Sequence, residues 1–274
     1  MRYLRICTVI IFVASLLFSS WVNYQYYSAQ NTDYPVLTNS IDAPEISVQE
    51  LPDALFQGLT ATDETDGDLT EKIMVASMSH FLEPGTVNVK YVVFDRHNNA
   101  ASLSRRVHFT DYQSPRFSLD KTPIYRVGSS FDLLDHLTVT DCIEGDISDR
   151  IRVISNMVHN YSEGIYPVLL EVSNSFGDTA QLSVLVHYTS KESNVSIKLH
   201  QYVVYLQQGD SFDPHQWIAS VTDQNLATLD PGKIEIQGNL DVETPGTYQL
   251  VYSYANGGLT GKTAITVIVT ERQA

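Results

Sequence analysis

The chain has little cysteine, little positive charge and no catalytic signature, and each scarcity removes a class of protein. Its two cysteines, Cys7 and Cys142, cannot pair, because the first lies inside an apolar N-terminal run and the second in an acidic turn. Cross-links therefore do not hold the fold, and stability has to come from hydrophobic cores. Lysine and arginine number 17 against 32 aspartates and glutamates, giving a formal charge of -15. A surface that acidic repels phosphate backbones, which excludes nucleic acid as a partner. There is no Gly-x-Ser-x-Gly elbow, phosphate loop or Cys-x-x-Cys pair, and the eight histidines are scattered without metal-ligand spacing. The expectation is a protein that is not an enzyme.

One long apolar run is present. Arg2 and Arg5 precede Ile6 to Val22, a stretch without formal charge. As a helix it spans about 25 Å, close to the hydrocarbon thickness of about 30 Å. Tyr3, Trp21, Tyr24, Tyr26 and Tyr27 suit the interfaces, and the arginines hold the N-terminus in the cytoplasm. Two readings compete, an uncleaved signal anchor and a removed signal peptide. The exit Phe18-Ser19-Ser20-Trp21-Val22-Asn23-Tyr24 lacks a small-x-small pattern and favours the anchor. No sortase-type signal stands at Glu271-Arg272-Gln273-Ala274, so the expected tether is N-terminal. The membrane is then a partner: residues 1–5 are cytoplasmic, 6–22 form a transmembrane helix, 23–42 form a polar stalk, and the bulk of a single-pass chain is extracellular.

Helical periodicity is missing from the rest of the chain, and repetition replaces it. Thr62-Asp63-Glu64-Thr65-Asp66-Gly67-Asp68-Leu69-Thr70 returns as Thr140-Asp141-Cys142-Ile143-Glu144-Gly145-Asp146-Ile147-Ser148. A worn copy begins at Thr222-Asp223 and lacks the Gly-Asp step. Each copy precedes a strand that starts on glycine, at Gly85, Gly164 and Gly246. The second, fourth, sixth and eighth residues after that glycine are apolar or aromatic: Val87, Val89, Tyr91 and Val93; Tyr166, Val168, Leu170 and Val172; Tyr248, Leu250, Tyr252 and Tyr254. This alternation places one strand face in a core. Asn- and Gly-rich turns follow, at Asp95 to Asn99, Asn174 to Asp178 and Asn256 to Gly258, and then a second strand. Units of short alternating strands and such turns fit a two-sheet β-sandwich.

The succession of a Thr-Asp strand end, an Asp-Gly-Asp-Leu-Thr turn, a Pro-Gly-Thr strand start and a closing hairpin resembles the bacterial immunoglobulin-like repeats of cell-surface proteins, especially in Gram-positive bacteria. Asp63, Gly67, Asp68, Leu69, Asp141, Gly145 and Asp146 carry it in the first two units. Pro245-Gly246-Thr247-Tyr248 and Gly209-Asp210-Ser211-Phe212-Asp213 carry it in the third. The expected fold is all-β, three tandem immunoglobulin-like β-sandwich domains over 43–111, 112–190 and 191–274 after one N-terminal transmembrane helix. The resemblance implies extracellular modules used as spacers, in adhesion, or in binding glycans or proteins, and it implies no particular ligand. A non-catalytic spacer or adhesion element is the first reading, and a receptor recognising a glycan or protein through the distal domain is the second.

The acidic turns admit a further reading. Asp63, Asp66 and Asp68 crowd three carboxylates together, and Asp141, Glu144 and Asp146 repeat the spacing, with Asp95 and Asp178 within reach if strand end and hairpin turn share one end of the unit. Calcium takes six to eight oxygen ligands from such loops. The simpler reading has each Asp cap its own turn while Gly supplies the backbone angle. Tyr202 and Tyr205 point to opposite faces if they share a strand, which would leave one exposed for contact with a ligand.

Overall fold

The computed structural model describes residues 2–28, 33–191 and 193–272, with the side chains of 11–25 described within the first of these segments. Helix α1 (Arg2–Ser28) covers the apolar run. Its side chains Ile11, Phe12, Leu16, Leu17, Phe18 and Trp21 are all exposed. Among the described residues no helix is long and apolar enough to cross a membrane. The cytoplasmic stretch and the first five residues of the expected span, 6–10, have side chains outside the described residues, as does Cys7.

The rest is β-structure in two compact units, residues 1–110 and 111–274. The first contains β1 (Val36–Asn39), β2 (Glu45–Ile46), β3 (Leu59–Asp63), β4 (Gly67–Asp68), β5 (Met74–Met78), β6 (Thr86–Phe94) and β7 (Ala100–Phe109). Their two sheets run β1-β3-β4 and β2-β7-β6-β5, with β2 parallel to β7 and the other pairs antiparallel. The expected stalk is thereby shortened at both ends. α1 continues to Ser28, and Val36 to Asn39 pair with Thr62 to Leu59 instead of lying free. A strand of four residues offers too short an alternation to be read from sequence.

The second unit contains two such sheet pairs. The strands β8 (Arg116–Leu119), β9 (Ile124–Arg126), β10 (Leu137–Asp141), β11 (Gly145–Asp146), β12 (Arg152–Asn156), β13 (Gly164–Ser173) and β14 (Thr179–Thr189) form sheets β11-β10-β8 and β12-β13-β14-β9. The strands β15 (Val195–Leu199), β16 (Val203–Gln207), β17 (Ile218–Asp223), β18 (Ile234–Gln237), β19 (Gly246–Asn256) and β20 (Leu259–Thr270) form sheets β15-β17 and β16-β20-β19-β18. We call these sheet pairs the second and third sandwiches.

The inward positions of the repeated strand are buried. Val87, Val89, Tyr91 and Val93 are sealed in the first sandwich, Val168, Leu170 and Val172 in the second, and Leu250, Tyr252 and Tyr254 in the third. Each such side chain contributes about 1.5 to 3 kcal/mol. Tyr166 and Tyr248, at the strand entries, are half-buried, and their hydroxyls reach the carbonyls of Ser162 at 3.2 Å and Thr244 at 2.8 Å. The closing hairpins are β6–β7, β13–β14 and β19–β20. At Gly261 on β20 a Cβ would lie 2.4 Å from the Val195 carbonyl, so this glycine lets β15 lie directly against β20.

Candidate functional site

The acidic turn is built the same way in the first two sandwiches. It is a tight hairpin, with Thr62 opposite Asp68 and Thr140 opposite Asp146. Gly67 and Gly145 take φ of 75° and 76° there with open space around them, so backbone angle alone requires glycine. Asp63 Oδ1 accepts the amides of Thr65 at 2.9 Å and Asp66 at 2.8 Å, and Asp141 Oδ1 accepts those of Ile143 and Glu144, both at 2.8 Å. Asp68 and Asp146 each accept the amide two residues on, from Thr70 and Ser148, both at 2.9 Å. Those hydroxyl residues hold the carboxyls of Asp68 and Asp146 below the usual range.

The next carboxylate docks the turn on the neighbouring hairpin. Asp66 Oδ2 accepts the Arg96 amide at 2.7 Å, and its Oδ1 lies 2.6 Å from Arg96 Nε. Glu144 Oε2 accepts the Ser175 amide at 2.7 Å, and Arg150 grips both its oxygens at 3.1 Å. Burial pushes the Glu144 carboxyl up, but Arg150 and Ser175 outweigh it and leave it below its ordinary value. The strand end and the hairpin turn therefore do share one end of each sandwich. Asp66, Asp68, Glu144 and Asp146 are nevertheless spent on caps and ion pairs rather than aimed at one point. Among the described residues no three His, Cys, Asp or Glu side chains gather as a metal centre.

Behind these turns sit buried polar residues that differ between the sandwiches, Asp63 and Asp95 in the first and Asp141 and Asn174 in the second. Asp63 and Asp95 are 7% and 5% exposed, and Asp141 is 1% exposed. In the second sandwich Asn174 Nδ2 donates to Asp141 Oδ2 at 3.0 Å and to the Tyr112 hydroxyl at 2.9 Å, and that hydroxyl donates to Asp178 Oδ2 at 2.7 Å. Asp178 therefore joins this network and not a cation loop. In the first sandwich Asp63 Oδ2 is buried without a partner.

The other candidate is a groove of about 680 Å³ between the second and third sandwiches. It is lined by Ile124, Tyr125 and Arg126 of β9, Val195 and Ile197 of β15, and Tyr254, Gly261 and Lys262 of the β19–β20 hairpin. Lys191 and Ser193 of the connecting segment also line it. Arg126, Lys191 and Lys262 face one carboxylate, Asp223, among the described lining residues. This inverts the balance of a chain with a charge of -15.

The groove exists because the two sandwiches are clamped. Tyr205, one of the two tyrosines expected to divide between core and surface, accepts the Phe117 amide at 2.8 Å, and Arg116 lies 5.1 Å from its ring. Its partner Tyr202 is buried. Neither is a free aromatic contact. Gln249 Nε2 donates to the Leu185 carbonyl at 2.8 Å, and Gln249 Oε1 lies 2.6 Å from His187 Nε2. Burial pushes the His187 imidazole below its ordinary value. The buried cluster runs from Phe117 to Val267 without a break between the sandwiches. Sequence reasoning missed the clamp because its partners are distant in sequence, and Tyr205 offered the only signal.

Residues 200–269 match the family described as "Bacterial surface protein, Ig-like domain". The resemblance read from the repeats is thus shown, with the match falling on the third sandwich. The chain is also 27% identical over 206 residues to the pesticidal crystal protein Cry22Aa of Bacillus thuringiensis, over 71% of this chain. It spans only 27% of that protein's length. Among solved structures, Drosophila N-cadherin EC1-3 shares 12% identity at a TM-score of 0.31, covering 89% of this chain and 91% of that one. The lipoprotein BT2262 of Bacteroides thetaiotaomicron shares 15% at 0.21, over 85% and 99%. CBM51-2 and INT domains of Clostridium perfringens ZmpB, solved with GlcNAc, share 15% at 0.23, over 86% and 42%. None of these likenesses bears on what this chain binds.

Proposed function

We propose that this chain, whose third sandwich matches a bacterial surface immunoglobulin-like domain, is a non-catalytic cell-surface adhesion protein tethered through α1, with residues 111–274 as its binding head. The groove carries this reading. It is large enough for a short oligosaccharide, is lined by both clamped sandwiches, and gathers Lys191 and Lys262 on an otherwise acidic molecule. Cations beside aromatic rings and hydroxyl or amide groups favour a ligand with carboxylate or phosphate groups, which is the chemistry of acidic glycans.

The tether reading rests on the exposed apolar side chains of α1 and on Arg2 and Arg5 in its first turns. Carbonate washing of membranes should leave the full chain in the pellet with its N-terminus intact. A mature N-terminus between Ser19 and Gln30 would instead assign α1 to a removed signal peptide.

Binding is tested with the full chain in detergent on an array of acidic and neutral glycans. Acidic glycans should be retained, and the charge reversals Lys191→Glu and Lys262→Glu together should reduce retention at least about tenfold. Equal retention by the double variant would remove the groove from the function. A second reading, recognition by the distal tip, has its own observation. The turn replacing the acidic motif in the third sandwich exposes Leu226 by 82% at a φ of 63°. Leu226→Asp should abolish binding if the tip is the site and leave it unchanged if the groove is.

A further inference from the structure

The first two sandwiches solve the same packing problem with different charges, and one of the solutions is incomplete. Asn174 in the second corresponds to Asp95 in the first, as their bonds establish. Asn174 Oδ1 accepts the amides of Phe176 at 3.0 Å and Asp178 at 2.9 Å, and Asp95 Oδ1 accepts those of His97 and Asn99, both at 2.8 Å. The residue after each donates its amide to the docking carboxylate, Glu144 or Asp66, at 2.7 Å in both cases. With one oxygen fixed identically, the second terminal atom of each side chain points the same way. For Asn174 that atom is the nitrogen that donates to Asp141 Oδ2. For Asp95 it is a second oxygen, directed to where Asp63 Oδ2 lies buried and unpartnered.

No nearby group repairs this. Asn99 Nδ2 spends its two hydrogens on Asp95 Oδ2 at 2.7 Å and the Asp33 carbonyl at 3.1 Å. Tyr34 is exposed and does not play the part of Tyr112. By this correspondence the second oxygens of two buried carboxylates, Asp63 and Asp95, are turned toward one another.

We propose that the first sandwich holds one hard divalent cation, of calcium type, between Asp63 Oδ2 and Asp95 Oδ2, where the second sandwich uses the Asn174 amide. Hard divalent cations take carboxylate, carbonyl and water oxygens together, so a site with two carboxylates, the Asp33 carbonyl and waters suits them and not zinc. With few protein ligands its affinity falls in the millimolar range of extracellular modules. The acidic turn then serves both as a register mark of the repeat and, in the first sandwich only, as the outer wall of a cation pocket.

The test is scanning calorimetry of the full chain in millimolar calcium and in chelator, with calcium stoichiometry from equilibrium dialysis. Calcium at about ten times its dissociation constant should raise the first unit's transition by about 4 °C or more, with close to one ion bound per chain. Asp95→Asn should raise that transition in chelator and abolish both the calcium response and the bound ion. The converse Asn174→Asp should make the second unit respond to calcium. If Asp95→Asn does not fold, Asp63→Asn should still remove the bound ion. Identical transitions in calcium and chelator would overturn the proposal, as would an Asp95→Asn protein that keeps its response. A first unit stabilised by acid and indifferent to calcium would overturn it too, assigning a proton to the pocket.

Discussion

The first and second sandwiches share strand order, acidic turn and closing hairpin, yet they stabilise their interiors differently. At the strand position where the second places Val184, opposite Val168, the first places Arg105, opposite Val89. Arg105 is 4% exposed, and Nη1 donates to Asn39 Oδ1 and to the carbonyls of Ile41 and Gln57 at 2.7 to 3.1 Å, while Nη2 donates to that of Leu55 at 2.8 Å. Tyr91 adds its hydroxyl to the Leu55 carbonyl at 2.7 Å and its ring 5.2 Å from the guanidinium. The second sandwich fills the same region with aliphatic side chains such as Leu133 and Leu170. One interior is thus organised by a cation that ties irregular chain segments together, and the other by apolar packing. A fold of this kind fixes the backbone frame and leaves the chemistry inside it free to differ.

The largest expected effect comes from attacking that contrast directly. Arg105→Ala removes four guanidinium hydrogen bonds that tie Asn39, Ile41, Leu55 and Gln57 together, and should destabilise the first unit by about 3 to 5 kcal/mol, read as a lowered first transition in urea or heat. Val184→Arg, which puts the cation where no carbonyls await it, should destabilise the second unit by at least as much. If Arg105→Ala melts like the parent, the cation is incidental and the contrast falls.

A smaller effect is expected at the buried amide. Asn174→Ala leaves Asp141 Oδ2 and the Tyr112 hydroxyl short of a donor and should cost about 1 to 3 kcal/mol in the second unit, measured by denaturant titration. No change there would mean that the amide does not matter and would weaken the contrast with Asp95.

The order of the inward positions was legible in the sequence, because a period of two marks one buried face regardless of context. Val89, Val168 and Leu250 declared themselves in this way. Arg105 did not: a charged residue reads as outward, and only the carbonyls of Leu55 and Gln57, which come from a segment without periodicity, make it inward. The acidic turns were legible as turns, since Asp-Gly carries that meaning locally. Asn174 was visible there only as a turn residue. Its donation to Asp141, the Tyr112 hydroxyl and the clamp through Tyr205 and Gln249 all join residues far apart in sequence, where composition and spacing are silent.

The smallest effects separate the units by pH. The His187 imidazole is depressed below its ordinary value of 6.5 by burial, so the unfolded chain takes up the proton first. Stability of the second unit is therefore full above pH 6.5 and should decline as the pH falls below it. A second decline should begin below pH 4.5, where Glu144, whose folded value is lowered, loses its charge and its pairing with Arg150. Each step should be under about 1 kcal/mol, given the solvent access of the pairs. His187→Gln should erase the first step in a pH series of melting curves and leave the second, and an unchanged first step would exclude His187 as its source.

The proposed binding head requires the second and third sandwiches to behave as one body, since the groove is lined by residues of both. Native-state hydrogen exchange with mass spectrometry, run across a denaturant series on the full chain, tests this most directly. The β13–β14 and β19–β20 peptides should open together at one denaturant concentration, and Tyr205→Phe with Gln249→Ala should move both openings to lower denaturant. Opening of β19–β20 well before β13–β14, with no response to those substitutions, would contradict a single head and with it the groove as a preformed site.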